Sequence, residues 1–178
     1  MTITFSVAAT QTFLTMLNGL ANVLKKAEAN ALERKIDPSV FLNSRLAPDM
    51  FPLVRQVQIS TDSAKGVVHR LAGRDIPKME DNETTFAELQ ARIAKTIDMV
   101  KAIPASELDG QEAREIIMKR PSGDVTFNGQ DYLLIHGLPN FLFHVVTAYN
   151  ILRHNGVPIG KEQYFGRAYF AFFDCSSS

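Results

Sequence analysis

The segment from Tyr132 to Leu152 reads YLLIHGLPNFLFHVVTAYNIL and contains no Asp, Glu, Lys or Arg. Its apolar residues recur at intervals of three and four, which is the spacing of a helix. A helix that is apolar on most of its faces has to be buried, so we expect other helices to wrap around it. Gly137 and Pro139 interrupt the regular pattern and predict a kink before the main run, which ends at His154. This segment therefore predicts the central helix of a helical bundle.

The same segment is long enough to raise the question of a membrane span. Polar side chains in lipid are costly, whereas a bundle core can satisfy them. The segment carries five: His136, Asn140, His144, Thr147 and Asn150. The first residues of the chain carry no positive region before their apolar ones, so we expect no signal peptide. We expect no membrane partner and a cytoplasmic location, which the single cysteine, Cys175, also fits.

Composition predicts one globular domain that covers residues 1–178. The chain is 46% apolar and 21% charged, which is ordinary for such a domain. Lys and Arg together number 19, and so do Asp and Glu, so no net field favours nucleic acid, and we expect no nucleic-acid partner. The tail at residues 167–178 contains the aromatic run AYFAFF. Exposed, such a run would promote aggregation, so we expect it to dock on its own chain or on a partner.

Outside the central segment, the pattern predicts three further long helices. A capping box, Thr85-Phe86-Ala87-Glu88, opens one of them, and Gly73 is a stop signal for another. Two short strand-like runs flank a turn rich in Pro, Gly and Asp, which indicates a hairpin. The predicted elements are helices at about Ser6–Ala29, Pro38–Asn43, Ala47–Ala72 and Phe86–Ala102, and strands within Glu115–Lys119 and Val125–Phe127.

The pair Asn140 and His144 is the strongest candidate for chemistry. The two residues are one helical turn apart, so their side chains project from the same face. Imidazole is a common zinc ligand, so this face could supply half of a metal site. Gln58 and Asp62 flank the apolar stripe of the second long helix and could supply a further donor. The alternative is that His144 is a hydrogen-bonded core residue, since asparagine is an uncommon zinc ligand.

Other polar residues near the same helix could line a pocket. His136 precedes the predicted kink, and Tyr149 could donate a hydrogen bond or simply pack with its hydroxyl satisfied. The sequence has no Gly-rich phosphate loop, nucleophile elbow or His-Glu-x-x-His motif. The candidate pocket residues are therefore Gln58, Asp62, His136, Asn140, His144 and Tyr149.

Two stretches resemble the signatures of an uncharacterised bacterial family. They are PNFLFHVVTAYNILRHNGVPIGK from Pro139 to Lys161, and RLAPDMFPL from Arg45 to Leu53, followed by Val57 and Gln58. That family is grouped in the DinB/YfiT-like superfamily, which includes metalloenzymes. The resemblance extends from about Phe5 to Gly166. It implies an all-α, up-down-down-up four-helix bundle, often dimeric, here with a small β-hairpin insertion before the last helix.

The resemblance also implies a divalent metal, zinc or nickel, held by one histidine from the second helix and two from the fourth. His144 matches the second histidine of the fourth-helix pair. Asn140 stands at the first, and Asp62 or Gln58 lies near the second-helix position. We therefore consider two hypotheses. One is a homodimer with a degenerate metal site and a small-molecule pocket. The other is a metal-dependent hydrolase or thiol transferase that uses His144, Asn140 and Asp62.

Overall fold

The computed structural model describes residues 2–166. The predicted docking of the tail at residues 167–178 lies outside the described residues. The described elements are α1 (Phe5–Glu33), α2 (Pro38–Leu42), α3 (Leu53–Ala72), α4 (Phe86–Lys101), a 3-10 turn (Ala105–Glu107), β1 (Ile116–Met118), β2 (Val125–Phe127), α5 (Gly129–Asp131), a π-helix (Tyr132–Gly137), α6 (Leu138–His154) and α7 (Lys161–Phe165).

The four long helices α1, α3, α4 and α6 form a bundle. Among the four long helices, α1 and α3 each pack mainly against α4 and α6 and much less against each other, so α1 and α3 stand at opposite corners. The long loop after α3 returns to the beginning of that helix, where Arg55 contacts Asp81. Farther along both helices, Arg92 of α4 donates to Thr61 of α3. The helices α3 and α4 therefore run parallel.

The remaining directions follow from paired contacts of the same kind. Along the seam between α3 and α6, the partner numbers rise on one helix as they fall on the other, so these helices are antiparallel. The hydrogen-bonded pairs are Gln56 with His144, Ser63 with Asn140, and Arg70 with Tyr132. Gln90 of α4 donates to the carbonyl of Ala21, and Ser6 at the start of α1 contacts Asp109 beyond α4. The predicted up-down-down-up order is confirmed.

Several predicted element ends are confirmed, but α1 continues to Glu33, beyond the predicted end at Ala29, and the predicted beginning of α3 is also wrong. The capping box forms, because Thr85 accepts from the backbone of Glu88 while the Glu88 carboxylate accepts from the backbone of Thr85. Gly73 ends α3 in the left-handed conformation, with a φ of 69°. The helix begins at Leu53, however, and not near Ala47. Pro52 is extended there, and the Leu53 amide bonds the Ser44 carbonyl, so the preceding residues form a turn.

The predicted kink takes the form of a π-helix, Tyr132–Gly137, that leads directly into α6. Such wide turns inside helices frequently occur at functional sites. Gly137 ends this turn at the point where it meets α3. A Cβ added there would lie 2.8 Å from Cγ2 of Val67, so glycine permits the close approach of the two helices. The turn thus fixes the distance between the beginning of α6 and the end of α3.

One side of α6 is not covered by the described chain. We define the α6 outer face as Pro139, Phe143 and Val146, which follow one another at intervals of four and three. Phe143 is 57% exposed and Val146 39% exposed, and Pro139 is also exposed. The expected wrapping of this helix by other helices is therefore only partial, because α1 and α3 cover its inner side alone. No helix among residues 2–166 is long and apolar enough to span a membrane.

The predicted β-hairpin is confirmed. Strand β1 pairs with β2 in antiparallel register, with Ile116 opposite Phe127 and Met118 opposite Val125. The hairpin lies against the π-helix, where Phe127 contacts the rings of Tyr132 and His136. It therefore forms a wall at the end of the seam between α3 and α6.

Candidate functional site

The seam between α3 and α6 holds the predicted pair, His144 and Asn140. Nδ1 of His144 lies 2.7 Å from Oε1 of Gln56. An amide oxygen can only accept, so Nδ1 carries the proton in this arrangement. Burial lowers the pKa of His144, and the positive charge of Arg55 lowers it further. The imidazole is therefore held neutral, as a hydrogen-bonded member of the helix interface.

Asn140 turns to a different partner. Its Nδ2 donates to Oγ of Ser63 at 2.8 Å. Ser63 and Gln56 are seven residues apart on α3, about two helical turns, whereas Asn140 and His144 are one turn apart. The two side chains consequently diverge as they cross to α3. Both side chains reach α3 from the same face of α6, but they do not converge on one point.

Asp62 is engaged on the next side of α3, about 100° around the helix from Ser63. Its Oδ1 lies 2.9 Å from Nη2 of Arg92 and 2.8 Å from Nζ of Lys65. The Arg92 side chain is 1% exposed and that of Lys65 is 5% exposed. A buried cation needs a nearby anion, since removing a charge from water is costly. Asp62 therefore serves as the counter-ion of two buried cations.

These contacts belong to a larger set of charges, which we call the Arg92 cluster. The Arg92 guanidinium donates to Thr61, Asp62, Glu83 and the Glu80 carbonyl at 2.7–2.9 Å and also lies 3.0 Å from Asp81. Gln58 bridges the cluster, since it accepts from Arg55 and donates to Glu83. The charged members are Arg55, Lys65 and Arg92, with Asp62, Asp81 and Glu83. With three charges of each sign, the cluster is neutral.

The predicted ligand set does not fit a metal ion in this arrangement. His144 and Asn140 bond to different residues of α3, whereas Asp62 belongs to α3 and pairs with Arg92 of α4. A cation next to Asp62 would also meet the charges of Arg92 and Lys65. Within residues 2–166, no group of three or more His, Cys, Asp or Glu side chains is arranged to hold a metal ion.

A cavity of about 300 Å³, which we call the α3–α6 pocket, lies between α3, the π-helix and β1. Three predicted pocket residues line it, namely Asp62, His136 and Asn140. The other three do not. Gln58 is buried in the Arg92 cluster, His144 bonds Gln56, and the Tyr149 hydroxyl donates to the Ile159 carbonyl at 3.3 Å.

Arg70 and Tyr132, which contact each other, are among the pocket residues that the sequence analysis missed. Nη1 of Arg70 donates to the Tyr132 hydroxyl at 3.0 Å, and its Cζ lies 6.0 Å from the centre of that ring. The sequence offered little signal, because an arginine in the last turn of a helix is ordinary and a π-helix has no simple motif. Only the wide turn before α6 brings Tyr132 to Arg70.

Aromatic rings make up one side of the pocket. The rings of Tyr132 and His136 stack at a centroid distance of 5.7 Å, and Phe127 of the hairpin stacks on His136 at 6.0 Å. Burial lowers the pKa of His136, and the charges of Arg120 and Arg70 add to this effect. Burial raises the pKa of the Tyr132 hydroxyl. Near neutral pH both side chains are therefore uncharged.

Comparison with known proteins identifies the family. Residues 5–165 match a family model described as a domain of unknown function, DUF1993. The chain belongs to the DUF1993 family. It is also similar to the crystal structure of a DinB family member protein from Shewanella denitrificans, with 41% identity and a TM-score of 0.83. The match covers 90% of this chain and 91% of that one. No curated protein matches the chain. The DinB-like fold expected for this DUF1993 protein is confirmed.

The Arg92 cluster predicts a large stability effect in the DUF1993 protein. Arg92→Met removes the central cation and leaves Asp62, Asp81 and Glu83 with fewer partners. Removing one partner of a buried ion pair leaves the other charge uncompensated, so the free energy of unfolding should fall by about 3 kcal/mol. Urea denaturation measures this loss. Arg74→Met is the matched control, because the Arg74–Glu107 pair is largely exposed. A loss in Arg92→Met as small as in the control would contradict the central role of Arg92.

The state of His144 predicts a pH dependence of stability. Its pKa is lower in the folded protein, so below the ordinary histidine value of about 6.5 the unfolded chain binds more protons. Stability should therefore fall as the pH drops through that value. His144→Gln removes the titrating group, so the variant should lose less stability on acidification, with His136 accounting for part of the remainder. Urea unfolding at several pH values tests this, and equal pH dependence of the two proteins would refute it.

Proposed function

We propose that this DUF1993 protein is a homodimer that binds a small molecule in the α3–α6 pocket without a resident metal. The observation that carries the proposal is the pocket itself. Its volume of about 300 Å³ is at the lower end for ligand sites, and it combines apolar walls with a few polar groups. Arg70, His136 and Asn140 supply the polar groups, while Ile59 and Met118 supply apolar surface. We propose the cytoplasm as its location, in keeping with a single cysteine.

The contacts of the predicted ligands favour a metal-free site. A mixed site would require Asp62 to leave Arg92 and Lys65, so that the nearly buried Lys65 would lose its counter-ion and Arg92 would lose one of its three anionic partners. Asn140 and His144 would also have to exchange their α3 partners for the metal. A metal-dependent hydrolase or thiol transferase therefore has less support than a binding protein.

The α6 outer face supports the homodimer. It presents Phe143 and Val146 to solvent, and no Asp, Glu, Lys or Arg occurs from Tyr132 to Leu152. In a two-fold symmetric dimer, the same surface meets its own copy. An apolar face without charged residues can meet its own copy without bringing like charges together. It offers no charge that would attract a charged partner of another kind. A second copy of this chain is therefore the occupant that we propose.

The metal part of the proposal can be tested by elemental analysis. Untagged protein, as purified and after supply of zinc, nickel or manganese, should contain no stoichiometric metal, and neither should His144→Ala. The reason is that the three predicted ligands already have protein partners. Near-stoichiometric metal in the wild type that is lost in His144→Ala would overturn the metal-free site.

The dimer part can be tested by light scattering coupled to gel filtration. The wild type should have twice the mass of one chain, and Phe143→Glu should be a monomer, because two buried carboxylates would face each other at the interface. Leu32→Glu is the matched control, since Leu32 is 67% exposed and belongs to α1, a different helix. A monomeric wild type, or dissociation of the control to the same extent, would refute the interface.

A further inference from the structure

We propose that the α3–α6 pocket recognises a small organic monocarboxylate with an apolar or aromatic body, and that Arg70 binds its carboxylate. This inference rests on the proposed function and adds the chemical class of the ligand. It follows from the balance of charge in the pocket, the way in which Arg70 is held, and the character of the surrounding walls.

The charges that line the pocket are already paired, with one exception. Arg55 and Asp62 both line it, but both belong to the neutral Arg92 cluster. Arg70 forms no ion pair with any of residues 2–166; its hydrogen bond goes to the Tyr132 hydroxyl. Because burial raises the pKa of that hydroxyl, Tyr132 stays neutral and gives no counter-charge. One half-buried cation is left over, and it matches one negative charge on a ligand.

The guanidinium of Arg70 is held in place before any ligand arrives. Tyr132 fixes one nitrogen, and the guanidinium lies over Gly66, one turn earlier on α3. A Cβ added to Gly66 would lie 2.9 Å from Nη1 of Arg70, so this position leaves room for the arginine. A guanidinium offers five donors in a planar fork that matches a carboxylate. Holding the fork in position reduces the entropy that binding would otherwise cost.

The remaining walls favour an organic acid over inorganic phosphate. Ile59, Val67 and Met118 provide apolar surface, and His136 contributes a ring that stacks with its neighbours. Arg120, whose charge affects His136, does not line the pocket. A doubly charged phosphate would face one unpaired cation and an apolar wall. A monocarboxylate with an aliphatic or aromatic body would pair its single negative charge with Arg70 and place its apolar body against the apolar wall.

The test compares acids with their neutral amides. The probes are benzoate, phenylacetate and hexanoate, the corresponding three amides, and inorganic phosphate, each titrated calorimetrically into the full chain. At least one acid should bind ten-fold or more tightly than its amide and than phosphate. Arg70→Gln should weaken that acid at least ten-fold and leave the amide unchanged. Arg74→Gln, which removes the same charge at an exposed site, should bind like the wild type.

A second variant covers the case in which Arg70→Gln fails to fold. Gly66→Ala displaces only the end of the flexible Arg70 side chain, so the melting temperature should hold while binding of the acid weakens several-fold. Amide signals of His136 and Asn140 in NMR spectra should shift with the acid and report the location. If acids and amides bind with equal affinity and both shift the His136 and Asn140 signals, the recognition of a carboxylate is refuted, whereas the small-molecule pocket is supported. No shift with any probe would overturn the carboxylate inference and count against the pocket as well.

Discussion

The charged side chain of Arg92, which is 1% exposed, is the constraint on which much of the bundle depends. A buried charge is tolerable only when anions and hydrogen-bond acceptors surround it. The loop after α3 supplies most of them, through Asp81, Glu83 and the Glu80 carbonyl. To deliver these groups, the loop has to run back along α3, and α4 then begins near the beginning of α3. The ion pairs and hydrogen bonds of Arg92 therefore form only when α3 and α4 are parallel, and they in turn stabilise that arrangement.

The same cluster determines the chemistry available next to it. Asp62 is the natural candidate for an acid or a metal ligand, yet its carboxylate is shared between Arg92 and Lys65. A neutral cluster at the edge of the α3–α6 pocket leaves Arg70 as the uncompensated charge among the described lining residues. The Arg92 cluster on one face of α3 thus leaves the pocket on the next face with a net positive charge.

The π-helix links the pocket to the outer side of α6. The wide turn directs Tyr132 and His136 toward α3 and the hairpin, and Gly137 lets α6 approach Val67 closely. Beyond the turn, α6 presents its inner side to α1 and α3 while Phe143 remains exposed on the other side. One helix therefore contributes both a wall of the proposed binding site and the surface proposed for the second copy.

The sequence by itself determined the local features: the capping box at Thr85, the helix stop at Gly73, the two-stranded hairpin, and the placement of Asn140 and His144 on one face of their helix. Each depends on residues a few positions apart, so the signal is contained in a short stretch. The family resemblance added the bundle order, which the contacts confirm. Only the tertiary structure decided that Asp62 pairs with Arg92, thirty residues away, that Arg70 meets Tyr132, and that one side of α6 is uncovered. The physical reason is that an ion pair or a buried face depends on which helices pack together, and a side chain's own neighbours in sequence do not record that choice.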